Sequence, residues 1–386
     1  MKVGIVGAGR LGLCFALLCE SVGYKVNIYD INTEYLNQLK NRNFSSSEPE
    51  VQKMIKSSNN LSIFNEFEEM ALDSDIIYTF VPTPSNQDGS YNIDTVKDIA
   101  NIFKKLESKI INKKYFIIGS TVNPGDTEKI SNLFDSSKVG VIYNPEFIAQ
   151  GSIIKDLKSA DIVLVGINQE DKEVLATIKD IYRKIQDVEI NFQVMSTTSA
   201  EITKISINCF LTTKISFANV IGEILQSSNC EGEIDNVLDT IGKDRRIGNQ
   251  YLKYGFGYGG PCLPRDNRAL GSYASKLGIK HNLGETVDKI NNQHGEFLLN
   301  SSIDKNPNKF PYYFEFISYK NNTNIFEESQ QLKLCKNLLE RGFKVFVKES
   351  EFITDEIKKE LYSNFKENIE FIKDIQKLNI QYIDIN

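Results

Sequence analysis

The feature that most constrains the fold is a glycine-rich turn near the N-terminus, between a short apolar strand and an apolar helix. The segment KVGIV leads into Gly7-Ala-Gly9-Arg-Leu-Gly12, an apolar helix follows, and VNIYD then predicts a second strand. The first glycine permits a tight turn, the second lets main chain approach a pyrophosphate, and the third lets the helix pack on the strand. The helix N-terminus also stabilises phosphate charge. The pattern predicts a dinucleotide-binding unit with cofactor contacts from Gly7, Gly9, Arg10, Leu11 and Gly12.

The second strand of this unit ends in an acidic residue, Asp30. A carboxylate at this position accepts a hydrogen bond from a ribose 2′-hydroxyl and repels a 2′-phosphate, which predicts NAD over NADP. A glycine motif alone is weak evidence and can be a turn without a ligand. One framed by a strand, a helix and a correctly placed acid is specific.

Strand patterns continue to alternate with helical segments through the first half of the chain, which predicts a doubly wound parallel α/β sheet. The strands lie in segments 75–85, 113–130, 139–147 and 162–166, the last being the final strand, and the domain ends near residue 195. Ligands of such sheets bind at the carboxyl ends of the strands. Thr83, Thr121 and Glu146 fall there, although each could equally be a turn or cap residue.

Residues 197–228 read as one long helix with a Thr/Ser cap at its start and apolar residues on more than one face. Lys204 and Asn208 are four residues apart and share a face. An ammonium and an amide aimed at one point could stabilise an oxyanion. The alternative is a solvated lysine paired with Glu201.

A turn rich in glycine and proline, GFGYGGPCLPRDNRAL, presents a single cysteine, Cys262. Its glycines permit close approach of a ligand to main chain, and Arg265 and Arg268 predict a cationic setting that favours a nucleophilic thiolate. The alternative is a surface loop with an incidental cysteine. A further helical stretch, about residues 263–303, leaves this turn.

Composition excludes several classes of function. The formal net charge of −6 and the lack of a basic run argue against nucleic acid or an anionic membrane as partner. No apolar run reaches membrane-spanning length. The chain has two histidines, and its six cysteines lack metal-ligand spacing, so no metal site is expected. Six scattered cysteines without disulfide spacing indicate reduced thiols in a cytoplasm.

The run GYGGPCLPRD resembles the active-site signature of the UDP-glucose/GDP-mannose dehydrogenase family, the nucleotide-sugar 6-dehydrogenases. STVNPG, NPEF, AEITKISINCFLTTKISFANVIGE, RIG and KNNTNIFEES resemble further motifs of that family in matching order. The resemblance implies an NAD-binding Rossmann domain over residues 1–195, a central helical domain that builds a homodimer over 196–304, and a short Rossmann-like domain that covers a nucleotide sugar over 305–386. The implied reaction is the four-electron oxidation of a hexose C6 alcohol to a carboxylate, UDP-glucose being the expected substrate.

The resemblance also implies roles for individual residues. Cys262 would form a thiohemiacetal and a thioester, Glu146 would activate water, and Lys204 and Asn208 would stabilise oxygen charge. Asp266 and Thr121 would position water and hydroxyls. The remaining implied contacts are Thr83, Thr121 and Arg265 with the cofactor, and Phe147, Ile148, Gln150, Lys204, Asn208, Arg246, Tyr251, Gly257, Gly259 and Lys320 with the substrate.

Two departures from the family pattern concern charge. Gln150 stands where the family usually has a glutamate, and Glu327 stands where an arginine commonly contacts the cofactor. Three alternatives stay open: a GDP-mannose or other UDP-hexose 6-dehydrogenase, a non-catalytic or degenerate nucleotide-sugar-binding homologue, and a single-step dehydrogenase of the hydroxy-acid or 6-phosphogluconate type. The last would need no thiol.

Overall fold

The structure is a computed structural model that describes residues 1–46, 48–148, 151–168, 171–378 and 380–385. The chain forms two compact units, Met1–Ile205 and Ser206–Asn386. The predicted division into three domains stays a prediction.

The first unit contains a sheet of eight strands in the order β3-β2-β1-β4-β5-β6-β7-β8. The strands are β1 (Lys2–Val6), β2 (Lys25–Tyr29), β3 (Leu61–Ile63), β4 (Ile76–Thr79), β5 (Lys114–Ile118), β6 (Val139–Tyr143), β7 (Val163–Gly166) and β8 (Phe192–Met195). Neighbours are parallel except β6 and β7, which meet antiparallel at Tyr143 and Gly166. The predicted doubly wound sheet is confirmed. The expectation that 162–166 forms the last strand is wrong, because β8 pairs with β7 at the edge of the sheet.

In the described part of the first unit, eight helices lie between these strands, two of them between β2 and β3. They are α1 (Arg10–Ser21), α2 (Thr33–Lys40), α3 (Val51–Ser57), α4 (Phe67–Asp73), α5 (Asp94–Lys105), α6 (Asp126–Ser131), α7 (Ile153–Lys158) and α8 (Val174–Ile185). Helix α1 is buried from Gly12 to Cys19, and its Phe15 ring lies 4.7 Å from that of Tyr78 in β4 and 6.0 Å from that of Tyr182 in α8. The helix that follows the glycine turn is therefore a core element, which fixes the turn at the carboxyl end of β1.

A long helix, α9 (Thr197–Ser227), begins in the first unit and continues into the second. The Ser196 hydroxyl accepts a hydrogen bond from the Ser199 amide at 3.3 Å, as the predicted Ser/Thr cap requires. By length and composition alone the helix could cross a membrane, with 39% of its most apolar window buried. The expectation that no apolar run reaches that length is therefore wrong for this segment.

The second unit contains a four-stranded parallel sheet in the order β11-β10-β9-β12, the smaller α/β element that the sequence predicts. Its remaining elements are α10 (Ile234–Lys243), α11 (Leu263–Lys276), α12 (Leu283–Asp304), β9 (Tyr312–Phe314), α13 (Gln330–Glu340), β10 (Val345–Lys348), α14 (Asp355–Phe365), β11 (Ile369–Ile372) and β12 (Ile383–Asp384). The single helical stretch expected over 263–303 is instead two helices. The chain turns at Gly278, with φ of 73°, and Asn282 caps α12 by accepting from the Glu285 amide at 3.1 Å.

Candidate active site

The glycine turn has the geometry that a dinucleotide pyrophosphate requires. Gly7 has φ of 81°, and a Cβ at Gly12 would lie 2.1 Å from the Gly7 carbonyl oxygen, so neither position accepts a side chain. A Cβ at Gly9 would meet no atom within 4 Å, and Gly9 caps α1 without a side-chain hydrogen bond. The first amides of α1 therefore lack a side-chain cap, beside open space that suits a phosphate. Arg10 is exposed, and Leu11 is half-buried at the start of the helix.

Asp30 directly follows β2, and its carboxylate holds the glycine turn. Its oxygens accept from the amides of Ala8 and Asn32, each at 2.9 Å. A cavity of about 320 Å³ lies beside it and is lined by Gly9, Arg10, Leu13, Cys14, Asp30, Asn32, Tyr35, Phe44, Ser46 and Val51. Carboxylate oxygen has further lone pairs for a ribose hydroxyl, and an aromatic lining suits an adenine. The residues present fit NAD.

Thr83 and Thr121 follow the neighbouring strands β4 and β5, and the structure brings them together. The Thr83 hydroxyl donates to the Thr121 carbonyl at 2.8 Å. The loop that carries Thr121 is held by Glu201 of α9, which is buried and accepts from the amides of Gly125 at 2.5 Å and Thr127 at 2.8 Å. Burial raises the pKa of Glu201 to about 6.

Lys204 lies one turn after Glu201 on α9, but it is buried and its ammonium donates to Glu146. Only 8% of Lys204 is exposed, and its Nζ donates to the Glu146 carbonyl at 2.7 Å. The ammonium also lies 4.2 Å from the centroid of the Phe147 ring. The alternative of a solvated Lys204–Glu201 pair is therefore wrong, because the Glu201 carboxylate caps the loop before α6.

The Glu146 carboxyl follows β6 and is buried against Tyr182 of α8, whose hydroxyl donates to Glu146 Oε1 and lies 3.0 Å from Asn144 Oδ1. Burial raises the pKa of Glu146 to about 7, while the Tyr182 hydrogen bond and the Lys204 charge act to lower it. A carboxyl with this pKa can exchange a proton near neutral pH, as a general base must. Sequence reasoning missed Tyr182, since nothing links a tyrosine of α8 to Glu146 before the fold is known.

The pKa of Glu146 predicts a pH dependence. If Glu146 acts as a base it must be ionised, and kcat should then fall about tenfold per pH unit below about 7. Tyr182→Phe removes a hydrogen bond that lowers this pKa, and should move the acid limb of the kcat profile to higher pH. Tyr24→Phe is the matched control, because Tyr24 donates to a different carboxylate, Asp180, at 2.5 Å. Equal profiles for the two variants would contradict the role of Glu146.

The same shift affects stability with a defined sign. The pKa of Glu146 rises from 4.5 to about 7, so folding favours its protonated form. The stabilisation that protonated Glu146 contributes to the free energy of unfolding is fully present below about pH 4.5. It is lost as pH rises through about 7.

In the second unit, Cys262 is exposed and caps the start of α11. The partial positive charge of the helix N-terminus favours a thiolate there. Two side chains of α9 hold the first turns of α11: Asn208 donates to the buried carboxylate of Asp266, and Cys209 donates to the Asp266 carbonyl at 3.4 Å. Cys262 thus stands one helical turn from the Asn208–Asp266 contact.

The glycines before Cys262 are required by close packing. A Cβ at Gly257 would lie 2.2 Å from Asn291 Oδ1, and one at Gly259 would lie 2.4 Å from the Glu328 carbonyl oxygen. Gly260 has φ of 81° and donates to the Glu327 carbonyl at 3.1 Å. The turn packs on the main chain of residues 327–328 and on Asn291. Larger side chains at these glycines would clash with those groups.

The prediction that Arg268 contributes to a cationic setting around Cys262 is wrong. Its guanidinium forms ion pairs with Asp288 at 2.9 Å and with Glu328 at 2.8 Å, which compensate its charge. Both acids are distant in sequence from the turn, so the local pattern could not reveal them. Arg265 is half-buried in the first turn of α11.

Several substrate residues implied by the resemblance lie elsewhere in the second unit. Arg246 has an exposed side chain that pairs with Asp244 at 2.6 Å, Tyr251 is 49% exposed with φ of 62°, and Lys320 is exposed. In the first unit, Phe147 contacts Lys204, and Ile148 packs against the core. Gln150 lies outside the described residues.

The fold and the glycine turn define a dinucleotide-binding protein of the Rossmann class. A model of the UDP-glucose/GDP-mannose dehydrogenase family, NAD binding domain, matches residues 1–186, and the model of that family's central domain matches residues 198–293. The chain belongs to the UDP-glucose/GDP-mannose dehydrogenase family, and its cofactor is NAD. Nearly all of α9 lies within the central-domain match.

Individual relatives agree with this assignment. The chain is 31% identical over 372 residues to the putative UDP-glucose 6-dehydrogenase YtcA of Bacillus subtilis (strain 168), a match that covers 92% of this chain and 83% of the relative. It is 28% identical to the UDP-glucose 6-dehydrogenase YwqF of the same organism, over 79% of this chain and 69% of that one. The structure of a UDP-glucose dehydrogenase from Pyrobaculum islandicum covers all of this chain with a TM-score of 0.86 at 25% identity, and the match spans 89% of that chain.

Proposed function

We propose that the chain oxidises the C6 alcohol of UDP-glucose to the carboxylate of UDP-glucuronate, with Cys262 as covalent nucleophile. The observation that carries the proposal is the exposed thiol at the N-terminus of α11, one turn from the Asn208–Asp266 contact. A thiol is needed only by a dehydrogenase that continues past the aldehyde, because its adduct is a second hydride donor.

The proposed steps balance as follows. Bound NAD would supply the hydride acceptor for both oxidations at C6, with one NAD consumed and released as NADH in each. In the first, the alcohol proton leaves to water positioned by Asp266 and Thr121. The Cys262 thiolate then forms a C–S bond to the aldehyde carbon, which gives a thiohemiacetal alkoxide, and hydride loss from that alkoxide leaves a thioester. Glu146 takes a proton from water as the oxygen attacks the thioester carbon, and the C–S bond breaks to regenerate the Cys262 thiolate. The carboxylic acid loses its proton to solvent and leaves as the carboxylate.

Oxygen at C6 carries developing negative charge in each of these steps. Lys204 and Asn208, one turn apart on α9, are the proposed stabilising groups. The buried position of Lys204 supports this role, since an ammonium in a water-poor site acts more strongly on a nearby oxyanion than a solvated one.

The choice of UDP-glucose rests on the relatives that act on it by name. The test is kcat/KM for NADH formation with UDP-glucose, UDP-galactose, UDP-N-acetylglucosamine and GDP-mannose. We expect UDP-glucose to exceed the others by about tenfold or more, the discrimination that one changed sugar contact supplies. A higher value for GDP-mannose would reassign the substrate. Binding of a nucleotide sugar without NADH formation would favour a non-catalytic homologue.

We also propose a homodimer built through α9. Its Phe210, Phe217 and Ile224 are 63%, 45% and 54% exposed and recur every seven residues, which places them on one stripe of the helix. An apolar stripe of this length is typical of a surface that another helix covers.

Phe217→Glu should convert the dimer to a monomer, because a carboxylate would be buried without a partner at the centre of the stripe. Light scattering during size-exclusion chromatography measures the mass. Ile111→Glu, at a residue 91% exposed in the first unit, is the control and should leave the mass unchanged. A dimeric Phe217→Glu protein would place the interface elsewhere.

We infer a cytoplasmic location from the thiols. All six cysteines are unpaired with one another, and Cys14, Cys19, Cys209 and Cys335 are buried. Persistent free thiols are typical of a reducing compartment.

A further inference from the structure

A buried histidine contacts the start of the cysteine turn. His294 of α12 is 1% exposed, its Nδ1 lies 2.6 Å from Glu223 Oε1 of α9, and its Nε2 lies 2.7 Å from the Gly255 carbonyl oxygen. A carbonyl is an acceptor, as is an ionised carboxylate, whereas a neutral imidazole carries one N–H. Both contacts can be hydrogen bonds only if the histidine and glutamate together hold one additional proton, on the ring or on the carboxyl.

Gly255, whose carbonyl His294 contacts, is also held through its amide. The Gly255 amide donates to Asn219 Oδ1 of α9 at 3.1 Å, and Asn219 is 1% exposed. Tyr254 packs on α9 so closely that a Cβ at Gly222 would lie 2.0 Å from its ring, and the same ring meets His294 edge-on at 5.7 Å. The start of the turn is therefore fixed to α9 and α12.

The far end of the turn is fixed to α9 too, through the contacts of Asn208 and Cys209 with Asp266. Cys262 lies between these two attachments. Loss of either attachment would let the main chain that carries the thiol shift, and a shift of about 1 Å in a reacting group can cost about a hundredfold in rate.

We propose that His294 and Glu223, sharing a proton, are positioning residues that hold the cysteine turn in its reactive arrangement. We call His294, Glu223 and the Gly255 carbonyl the histidine clamp. The inference rests on the proposed role of Cys262, which gives the position of the turn its importance.

The groups around His294 determine the direction in which the histidine clamp responds to pH. Among the described residues, the titratable side chains shown against the His294 ring are Glu223 from α9 and Tyr254 from the segment before the turn. Burial raises the pKa of Tyr254 to about 12, so it stays neutral over the working range. Loss of the shared proton at alkaline pH would leave one ring N–H for two acceptors. The stronger hydrogen bond, from Nδ1 to the carboxylate, would be kept, and the Nε2 lone pair would then face the Gly255 carbonyl oxygen without a hydrogen bond.

The Glu223→Gln variant tests whether the histidine clamp depends on the shared proton. A glutamine amide can donate to Nδ1 while neutral His294 donates from Nε2 to Gly255, so both hydrogen bonds survive without the additional proton. His294→Leu removes both contacts. His281→Leu is the matched control, since it replaces the only other histidine, which is exposed.

The measurements are hydrogen-exchange protection of residues 255–261, the rate of Cys262 alkylation by iodoacetamide located by peptide mass, and steady-state kcat and KM. For His294→Leu we expect lower protection and a fall in kcat of about tenfold or more, with KM for NAD within about twofold of wild type. Wild-type protection, corrected for intrinsic exchange, should fall at alkaline pH. Glu223→Gln should keep its protection there and retain kcat near neutral pH.

Wild-type protection and kcat in His294→Leu would overturn the proposal, as would an alkaline loss of protection in Glu223→Gln equal to that of wild type. If His294→Leu does not fold, the Glu223→Gln comparison decides alone. Exchange and alkylation need no nucleotide sugar. Failure of the proposed dehydrogenase activity would therefore show as absent NADH, while these two readouts still test the clamp.

Discussion

Cys262→Ala should lose roughly a thousandfold or more in the rate of uronate formation while keeping its affinity for NAD. Without the thiol the C6 aldehyde has no covalent route to a second hydride transfer. The match to the family's NAD binding domain, residues 1–186, lies within the first unit, so the substitution should leave NAD binding unchanged. Product analysis by mass spectrometry measures uronate, and fluorescence quenching measures NADH binding.

Cys230→Ala is the matched control for this prediction. Cys230 is the other exposed cysteine, and its thiol donates to the Ser228 carbonyl at 3.4 Å. We expect wild-type activity from it. Uronate formation at the wild-type rate by Cys262→Ala would show that the reaction needs no thiol, and a single-step dehydrogenase would then become the better description.

Lys204→Met should lower kcat/KM by about a hundredfold to a thousandfold, the usual cost of removing one oxyanion-stabilising donor. Methionine keeps most of the side-chain volume but leaves the Glu146 carbonyl without the Lys204 donor and removes the buried charge. Because that charge lowers the pKa of Glu146, its loss should also move the acid limb of the kcat profile above pH 7, the approximate pKa of Glu146.

Lys179→Met provides the comparison for Lys204. Its ammonium also lies over a phenylalanine ring, 5.1 Å from the centroid of Phe192, whereas the ammonium charge that lowers the pKa of Glu146 is that of Lys204. Steady-state kinetics and the pH profile of both variants give the result. An unchanged kcat/KM in Lys204→Met would remove Lys204 from the proposed chemistry.

The N-terminal half of the site could be predicted because its determinants are local in sequence. Gly7, Gly9, Gly12 and Asp30 fall within one strand, turn, helix and strand, and each has a steric or electrostatic requirement that sequence spacing reveals. Strand β8 was missed for a physical reason as well. Its FQVM segment is half-buried to exposed at the sheet edge, so it lacks the apolar run that predicts a buried strand.

The interactions that tune the candidate site depend on contacts between distant segments. Tyr182 reaches Glu146 from another helix, and the partners of Arg268, Asp288 and Glu328, come from α12 and the segment before α13. His294 meets Gly255 only after α12 packs beside the turn. Periodicity places each residue on its element but says nothing about which polar groups meet in the folded chain.

The most direct test of the covalent mechanism is the number of NADH molecules formed per UDP-glucose consumed, measured with excess NAD and with carbonyl trapping of any released aldehyde. The proposed mechanism predicts two NADH, one uronate and no trapped aldehyde, because the Cys262 adduct holds the intermediate between the two oxidations. A ratio of one NADH with stoichiometric aldehyde would contradict it.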